Sequence, residues 1–273
     1  MGKKILFIAQ EIAPFVPDSH MAVLGKVIPR CLADDGYEIR SYHPKWGNIN
    51  ERRNQLHEVI RLSGMNTIID DTDHQLLIKV ASMPYTKMQV YFIDNEDFFF
   101  KRLAVADKNG VEYNDNYERA VFYARSVLEI TKKVRWYPDI IICQGWMSCV
   151  APFLIKTVYK DEPAYQNAKV ITSLHHIDIT KPMPERFPYM MAFRNVTAED
   201  AMTYGLEYKA PTDLQKLALR FSDAAVVADK DVAPTVIDYA KERNLPITQY
   251  SDDAADKGNA AVLEKLFASL LSE

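Results

Sequence analysis

Polar residues follow two buried apolar runs in this chain of 273 residues, and these residues are well placed for chemistry. The run from Asp139 to Cys143 holds three isoleucines and a cysteine, which is typical of a strand buried on both faces. The turn from Gln144 to Met147 follows it. A second predicted strand, Lys169 to Leu174, leads into His175 and His176. Ligands of α/β sheets bind at the carboxyl ends of the strands, so we expect a binding site at these turns.

Predicted strands and helices alternate along the chain, which indicates an α/β fold. We predict a single doubly wound, Rossmann-like domain spanning residues 1–273, with a mostly parallel sheet and with 139–143 covered on both faces. The parallel strands are predicted at 4–9, 37–42, 139–143, 169–174 and 224–228, and helices at 21–32, 115–133, 147–158, 212–221, 234–243 and 262–270. A β-rich insertion is predicted at about 50–95, with strands at 57–62, 75–82 and 89–93. The stretches 94–116 and 181–209 are predicted to be loops.

Composition excludes several classes of function. The formal net charge of −4 argues against non-specific binding to nucleic acid or to an anionic membrane. The longest apolar runs fall well short of the roughly 20 residues that span a bilayer, and the N-terminus leads into a strand without a signal-peptide pattern. Cys31, Cys143 and Cys149 lie among apolar residues without metal-ligand spacing. They predict reduced core thiols and a cytoplasmic protein.

The glycines also limit the chemistry. All nine are isolated from one another, so neither a Walker loop nor a G-x-G-x-x-G turn occurs. The sequence also lacks G-x-S-x-G and H-E-x-x-H, and the aspartates at 70, 71 and 73 lack the rest of a calcium loop. Adjacent histidines on a strand point to opposite faces, so His175 and His176 do not suit a shared metal. We predict no cofactor and no metal site.

Several segments together resemble one known family. They begin with 11–15 (Glu-Ile-Ala-Pro-Phe), 36–40 with Pro44, and 90–95. They continue with Tyr113 to Arg125 and with Pro138-Asp139, Trp146 and Ala151-Pro152. In this order they resemble the N-terminal half of bacterial glycogen and starch synthases, which are two-domain GT-B glycosyltransferases. The resemblance covers most of the chain and implies the same fold.

The chain departs from the family at the positions that carry its chemistry. The family's first loop reads Lys-Thr-Gly-Gly-Leu, then a small residue and Asp, whereas a gapless alignment places Pro17 to Val23 there. Proline therefore replaces a lysine near the sugar-nucleotide phosphates, and side chains replace glycines. The family's His-x-His-Asp-Trp-His is Ile142 to Met147 here, keeping only Trp146. The chain also ends where the nucleotide-sugar domain would begin, so we expect a stand-alone, degenerate domain.

The resemblance implies roles for six residues. It gives His175 a catalytic role, and it gives substrate-binding roles to Glu11, Tyr113, Asn116, Trp146 and Lys216. Each of four residues has a structural alternative. His175 suits a hydrogen-bonded residue at the rim of the site, and Trp146 suits either stacking on a sugar ring or burial in its turn. Asn116 suits a helix cap, and Lys216 suits a surface lysine.

Two functions remain from different classes. The first is a domain that binds α-glucan or a protein partner and is not catalytic alone. The second is the functional half of a glucosyltransferase that moves glucose from ADP- or UDP-glucose to an α-1,4-glucan, completed by a second glycosyltransferase domain or subunit. The first is favoured because transfer needs a phosphate clamp and groups that stabilise charge at the anomeric carbon. The loop lysine and the polar cluster after the central strand are both missing.

The lost polar positions predict how the former donor side is filled. Val23, Ile142 and Met147 replace polar family residues, and exposed apolar surface costs about 25 cal/mol per Å². We expect these side chains to pack together or against the 14–22 loop. The acceptor side, near Trp146, Tyr113 and His175, is expected to stay more open.

Overall fold

The computed structural model describes residues 2–272, in which ten strands form one sheet with helices on both faces. The strands are β1 (Lys4–Ala9), β2 (Glu38–Pro44), β3 (His57–Glu58), β4 (Met65–Ile69), β5 (Thr72–Ser82), β6 (Gln89–Asp94), β7 (Ile140–Gln144), β8 (Lys169–Leu174), β9 (Ala224–Val227) and β10 (Ile247–Gln249). The α-helices are α1 (His20–Asp34), α2 (Asn116–Lys133), α3 (Ala151–Lys156), α4 (Phe187–Met191), α5 (Ala198–Met202), α6 (Thr212–Arg220), α7 (Pro234–Glu242) and α8 (Gly258–Leu271), and Trp146–Ser148 is a 3-10 helix.

The strand order is β10-β9-β8-β7-β1-β2-β6-β5-β3, with β4 paired to β5. All neighbours from β10 to β6 are parallel, and β5 runs antiparallel to β6, β3 and β4. The prediction of an α/β fold with a mostly parallel sheet is confirmed. Strand β7 lies between β1 and β8 and is buried along its whole length, as its run of isoleucines predicted.

Alternation along the strands divides the core between the two faces of the sheet. On one face, Leu6 and Ile8 of β1 belong to the large core that includes helices α2 and α3. On the other face, Ile5 and Phe7 pack in a second core with Leu24, a residue of α1, and with residues of α8. Burial on both faces is what a doubly wound sheet requires of its central strands.

The register brings the carboxyl ends of the central strands together. Ala9 pairs with Gln144, and Gln144 pairs with Ser173, so β1, β7 and β8 end side by side. Strand β9 continues the row, with Val227 opposite Leu174. The loops that follow these four strands therefore meet at one edge of the sheet, which we call the carboxyl edge.

Several predicted boundaries were wrong. The strand predicted at 57–62 is only two residues long, because Leu62 N–H bonds back to Val59 O in a turn and the chain then starts β4. The helix predicted at 147–158 is split into the 3-10 turn and α3, since Pro152 lacks an N–H and suits only the first turn of a helix. The 181–209 stretch contains α4 and α5. Strand β10 was not predicted.

No helix within residues 2–272 combines the length and the apolar character that a membrane crossing requires.

Candidate functional site

A cleft of about 330 Å³ opens at the carboxyl edge, beside the ends of β1, β8 and β9. We call it the edge cleft. Its lining comes from the loop after β1 and the start of α1, together with the loops after β8 and β9. The lining residues are Gln10, Glu11, Ser19, His20, Met21, His176, Asp178, Asp229 and Asp231. A sheet of this topology is expected to bind ligands at this edge.

The edge cleft is acidic. Four of its lining residues are carboxylates and two are histidines, and within residues 2–272 no lysine or arginine lines it. A neighbouring cavity of about 390 Å³ shares His20, Asp229 and Asp231 with it. That cavity adds one cation, Lys230, and one further carboxylate, Asp252. The balance of charge at this edge is therefore negative, which disfavours an anionic ligand.

Glu11 stands at the wall of the cleft, directly after β1. Its carboxylate accepts a hydrogen bond from the Ser19 hydroxyl, at 2.5 Å. Partial burial raises the pKa of Glu11 above its ordinary value; the Ser19 hydrogen bond opposes that rise, and the Asp178 carboxylate adds to it. Ser19 also accepts from Ala22 N–H at 2.9 Å as the N-cap of α1. The helix cap thus holds the carboxylate in place.

Asp229 and His176 form the opposite wall. The Asp229 carboxylate accepts from Asp231 N–H at 2.9 Å and from His176 N–H at 3.4 Å. Burial alone would raise the pKa of Asp229, but these backbone donors outweigh it and the pKa is lowered. The ring of His176 lies with Nδ1 3.2 Å from Asp231 O and Nε2 3.7 Å from the Asp178 carboxylate. The loops after β8 and β9 are therefore joined to each other along this wall.

His175 lies on the other side of the backbone from His176 and is buried. Its Nε2 is 3.1 Å from Ser173 Oγ, and its carbonyl accepts from Gln215 Nε2 at 2.7 Å. Burial lowers the pKa of His175 to about 3, so the ring is neutral near pH 7. His175 does not line the edge cleft. The structure places the adjacent His176 there instead.

The turn after β7 is closed rather than open. Trp146 is 1% exposed and Met147 is fully buried. Gly145 has a φ of 77°, and a Cβ there would lie 2.5 Å from Gln10 Oε1, so only glycine suits this turn. Gln10 Oε1 in turn accepts a hydrogen bond from the backbone N–H of Met147, at 3.4 Å. The side chain of Gln10 therefore covers the turn.

The expected packing of Val23, Ile142 and Met147 was right in part. Ile142 and Met147 are buried, but they lie in different cores, with Val23 packed against the core of Ile142. The expectation of an open acceptor side was wrong, because Trp146 and His175 are both buried. The 3-10 turn brings Trp146 into the core that includes α2, and this removes the ring from solvent.

Tyr113 and Asn116 hold a loop rather than line the edge cleft. Asn116 is the first residue of α2, and its Nδ2 donates to Val105 O at 2.9 Å while its Oδ1 accepts from Arg119 at 2.9 Å. The predicted cap at Asn116 is therefore wrong by one residue, since the N-cap position is Asp115. The Tyr113 ring lies 5.0 Å from the Arg119 guanidinium, and its hydroxyl accepts from the backbone of Leu103. These contacts anchor the loop before α2.

Lys216 is half-buried on α6, where its Nζ lies 3.2 Å from the Asp213 carboxylate of the same helix. Of the six residues predicted as site residues, the edge cleft contains Glu11 alone. The cleft residues to which sequence reasoning assigned no role are Gln10, Ser19, His20, Met21, His176, Asp178, Asp229 and Asp231. The rule that ligands bind at strand ends could have found Asp229 and Asp231, because they follow the apolar run of β9. Nothing in the sequence separated His176 from its buried neighbour.

The described residues contain no group of three or more histidines, cysteines, aspartates or glutamates arranged to hold a metal ion. The three cysteines are unpaired thiols, and burial raises the pKa of Cys149 to about 12. The polar groups that line the edge cleft are carboxylates, imidazoles, the amide of Gln10 and the hydroxyl of Ser19. These groups accept and donate hydrogen bonds to polyhydroxylated ligands.

The mostly parallel sheet and its helices have the α/β fold of the GT-B glycosyltransferases, to which the structural neighbours of this chain belong. The catalytic domain of starch synthase IV from Arabidopsis thaliana, solved with ADP and acarbose, superposes with a TM-score of 0.67. That comparison covers 83% of this chain and 45% of the solved chain, at 16% identity. The family model of the starch synthase catalytic domain matches residues 4–245, and the chain belongs to that family.

Curated relatives agree with this assignment. Glycogen synthase of Chlorobium limicola is 35% identical over 175 residues, which is 64% of this chain and 36% of the relative. Glycogen synthase of Pelodictyon phaeoclathratiforme is 32% identical over 198 residues, which is 72% of this chain and 40% of the relative. The matched part of the chain therefore covers well under half the length of these relatives.

Proposed function

We propose that this chain is a glycogen/starch synthase-type domain that binds a neutral α-glucan in the edge cleft and does not transfer glucose by itself. The charge of the cleft carries the proposal: four carboxylates and no lysine or arginine line it within residues 2–272. A nucleotide sugar presents a diphosphate, which binds to cations, helix N-termini or glycine-rich loops. A glucan is uncharged and presents hydroxyl groups, which donate hydrogen bonds to carboxylates.

Glu11 is the predicted residue that we retain as a ligand contact. Its carboxylate is positioned by Ser19 at one wall, opposite Asp178 and Asp229. We assign Trp146, His175, Tyr113, Asn116 and Lys216 structural roles in this proposal, because each is buried or paired within the fold. The buried, unpaired cysteines favour a cytoplasmic location.

A second candidate function is the glucan-binding half of a two-part glucosyltransferase, and it is supported by how much of the relatives lies outside the matched region. The relatives named glycogen synthase extend well beyond the matched region, which covers 36% to 40% of them. A second glycosyltransferase domain or subunit would then supply the phosphate ligands, and this domain would supply the glucan side. The cleft would take the same neutral ligand in both cases. The two candidates differ in whether added partner protein yields glucose transfer.

The test is calorimetric titration of maltohexaose into the purified chain and two variants, Glu11→Gln and Asp178→Asn. Each removes one charged acceptor while keeping the shape of the side chain, so we expect about a tenfold loss of affinity. Asp161→Asn is the control, since Asp161 is an exposed carboxylate outside the cleft. Equal affinity in all four proteins would rule out the edge cleft as the glucan site.

A further inference from the structure

A second cavity lies away from the carboxyl edge, beside the hairpin that joins β5 to β6. Its volume is about 470 Å³, and a neighbouring cavity of about 520 Å³ shares Tyr85, Thr86 and Gln89 with it. We call the first one the hairpin cavity. It is lined by Phe15, Arg53, Asn54, Gln55, His57, Val80, Ala81, Ser82, Met83, Pro84, Tyr85, Thr86 and Gln89. None of these residues lines the edge cleft.

Tyr85 stands at the tip of the hairpin with its side chain fully exposed, at 100%. Its φ is 62°, a left-handed conformation that is costly for a bulky side chain and that glycine would adopt freely. The turn around it is well fixed, because Met83 N–H donates to Met88 O at 2.8 Å and Thr86 Oγ1 donates to Met83 O at 3.0 Å. An aromatic ring is thus held out into solvent on a rigid support, at a cost in stability.

Gln55 lines the same cavity and is also left-handed, with a φ of 53°. Strained backbone positions concentrate at ligand sites, where the surrounding structure holds them. Within residues 2–272, the side chains of Gln55, His57 and Ser82 make no hydrogen bond to another group, so their donors and acceptors remain for a ligand. Four residues with strained backbone or unused polar side chains (Gln55, His57, Ser82 and Tyr85) therefore line one cavity.

The chemistry of the lining selects the ligand class. Within the described residues, no carboxylate lines the hairpin cavity, and Arg53 is its one permanently charged side chain. Amides, hydroxyls and an imidazole line the cavity together with the exposed ring of Tyr85 and the largely buried ring of Phe15. This combination matches a pyranose, which has an apolar C–H face for an aromatic ring and a rim of hydroxyl groups for the polar side chains.

We propose that the hairpin cavity is a second saccharide-binding site, in which Tyr85 stacks on a glucose unit of an α-glucan. The glucan as ligand class rests on the proposed function, whereas the site itself rests on the hairpin. A further cavity shares Phe15, Arg53 and Asn54 with it and reaches Asp18, the residue before Ser19 of the edge cleft. One long glucan chain can therefore contact both sites, which increases its avidity.

The test compares Tyr85→Ala and Tyr85→Gly with the wild type and with Tyr189→Ala. Tyr189 is a half-exposed tyrosine on α4 outside both cavities and is the matched control. Affinity gel electrophoresis in glycogen measures polymer binding, and we expect both Tyr85 variants to weaken it about tenfold. Tyr85→Gly relieves the left-handed strain, so its urea midpoint is expected to equal or exceed that of the wild type. A loss of binding by a stabilised variant separates ligand contact from folding.

Titration with maltotriose, chosen because it is short, distinguishes the two sites. Two sites in the wild type and one in Tyr85→Ala support this inference together with the proposed function. One site in the wild type and none in Tyr85→Ala support this inference and overturn glucan binding at the edge cleft. Unchanged stoichiometry and unchanged glycogen retardation in Tyr85→Ala overturn the hairpin site, as does an absence of saccharide binding in the wild type.

Discussion

The carboxyl edge of the sheet has two parts that differ in character. In the central part, the turn after β7 is closed, with Trp146 and Met147 buried and Gln10 over Gly145. In the flanking part, beside the ends of β1, β8 and β9, the edge cleft is open and lined by carboxylates. The same topological edge therefore contains both a closed turn and an accessible cleft.

Because of this difference, the residues that show the family of the chain are not the residues that are accessible to a ligand. The family resemblance is carried partly by Trp146, yet the ring serves the core of this chain. The accessible groups are residues such as Asp229 and His176, which the family pattern did not select. Membership of the starch synthase catalytic domain family thus establishes the fold, while the charge and burial of each part of the edge decide which ligands it can accept.

The largest expected effect on stability comes from removing the Trp146 side chain from the closed part of the carboxyl edge. Trp146→Ala should lower the free energy of unfolding by about 3–5 kcal/mol, because it leaves a cavity in the core. Trp146→Phe should cost less, since the ring still fills most of the space and the unpartnered Nε1–H is removed. Urea melts measure both. If Trp146→Ala retains wild-type stability but loses glucan binding, the tryptophan is a ligand platform and the two parts are not distinct.

Acid should distinguish the two adjacent histidines. Burial lowers the pKa of His175 to about 3 and that of His43 to about 4, below the ordinary 6.5. As the pH falls below 6.5, the unfolded chain binds protons that the folded chain does not, so stability is lost between pH 6.5 and these folded-state values. By pH 4.5 the loss is about 2–3 kcal/mol for each histidine.

The measurement is a set of urea melts at pH 7 and pH 4.5. His175→Gln removes one buried titrating group, so its loss on acidification should be smaller than that of the wild type by about 2 kcal/mol. His176→Gln is the matched control, because it changes the exposed neighbour and leaves His175 in place. The reverse pattern would mean that His175 is accessible to protons in the folded state.

A smaller effect is expected when a polar ring is returned to the closed part. Met147→His restores the type of residue that the family has at this position, but it buries the ring where Met147 is fully enclosed. We expect a loss of about 1–3 kcal/mol in the free energy of unfolding and no glucose transfer to glycogen. Met147→Leu conserves volume and should cost less than about 1.5 kcal/mol. Unchanged stability of Met147→His would indicate an open, wet site at this turn.

The sequence predicted the parts of the structure that depend on local pattern. The isoleucines of β7 and the alternation of strands and helices were sufficient to place β7 in the centre of a mostly parallel sheet. Short elements with a weak pattern, such as β10, were missed. The site was predicted poorly, because His175 and His176 are chemically identical in the sequence and differ only in the face on which each lies. Glu11 was found through the family resemblance, which gave it a substrate-binding role.

The proposed function requires that the open part of the edge select neutral saccharide over nucleotide sugar. The most direct test of this selectivity is isothermal titration calorimetry of ADP-glucose and UDP-glucose against the wild-type chain, beside maltohexaose under the same conditions. Carboxylates without a facing lysine or arginine repel a diphosphate. We predict that neither nucleotide sugar saturates the protein at millimolar concentration, whereas maltohexaose binds. A micromolar dissociation constant for either nucleotide sugar would contradict the account.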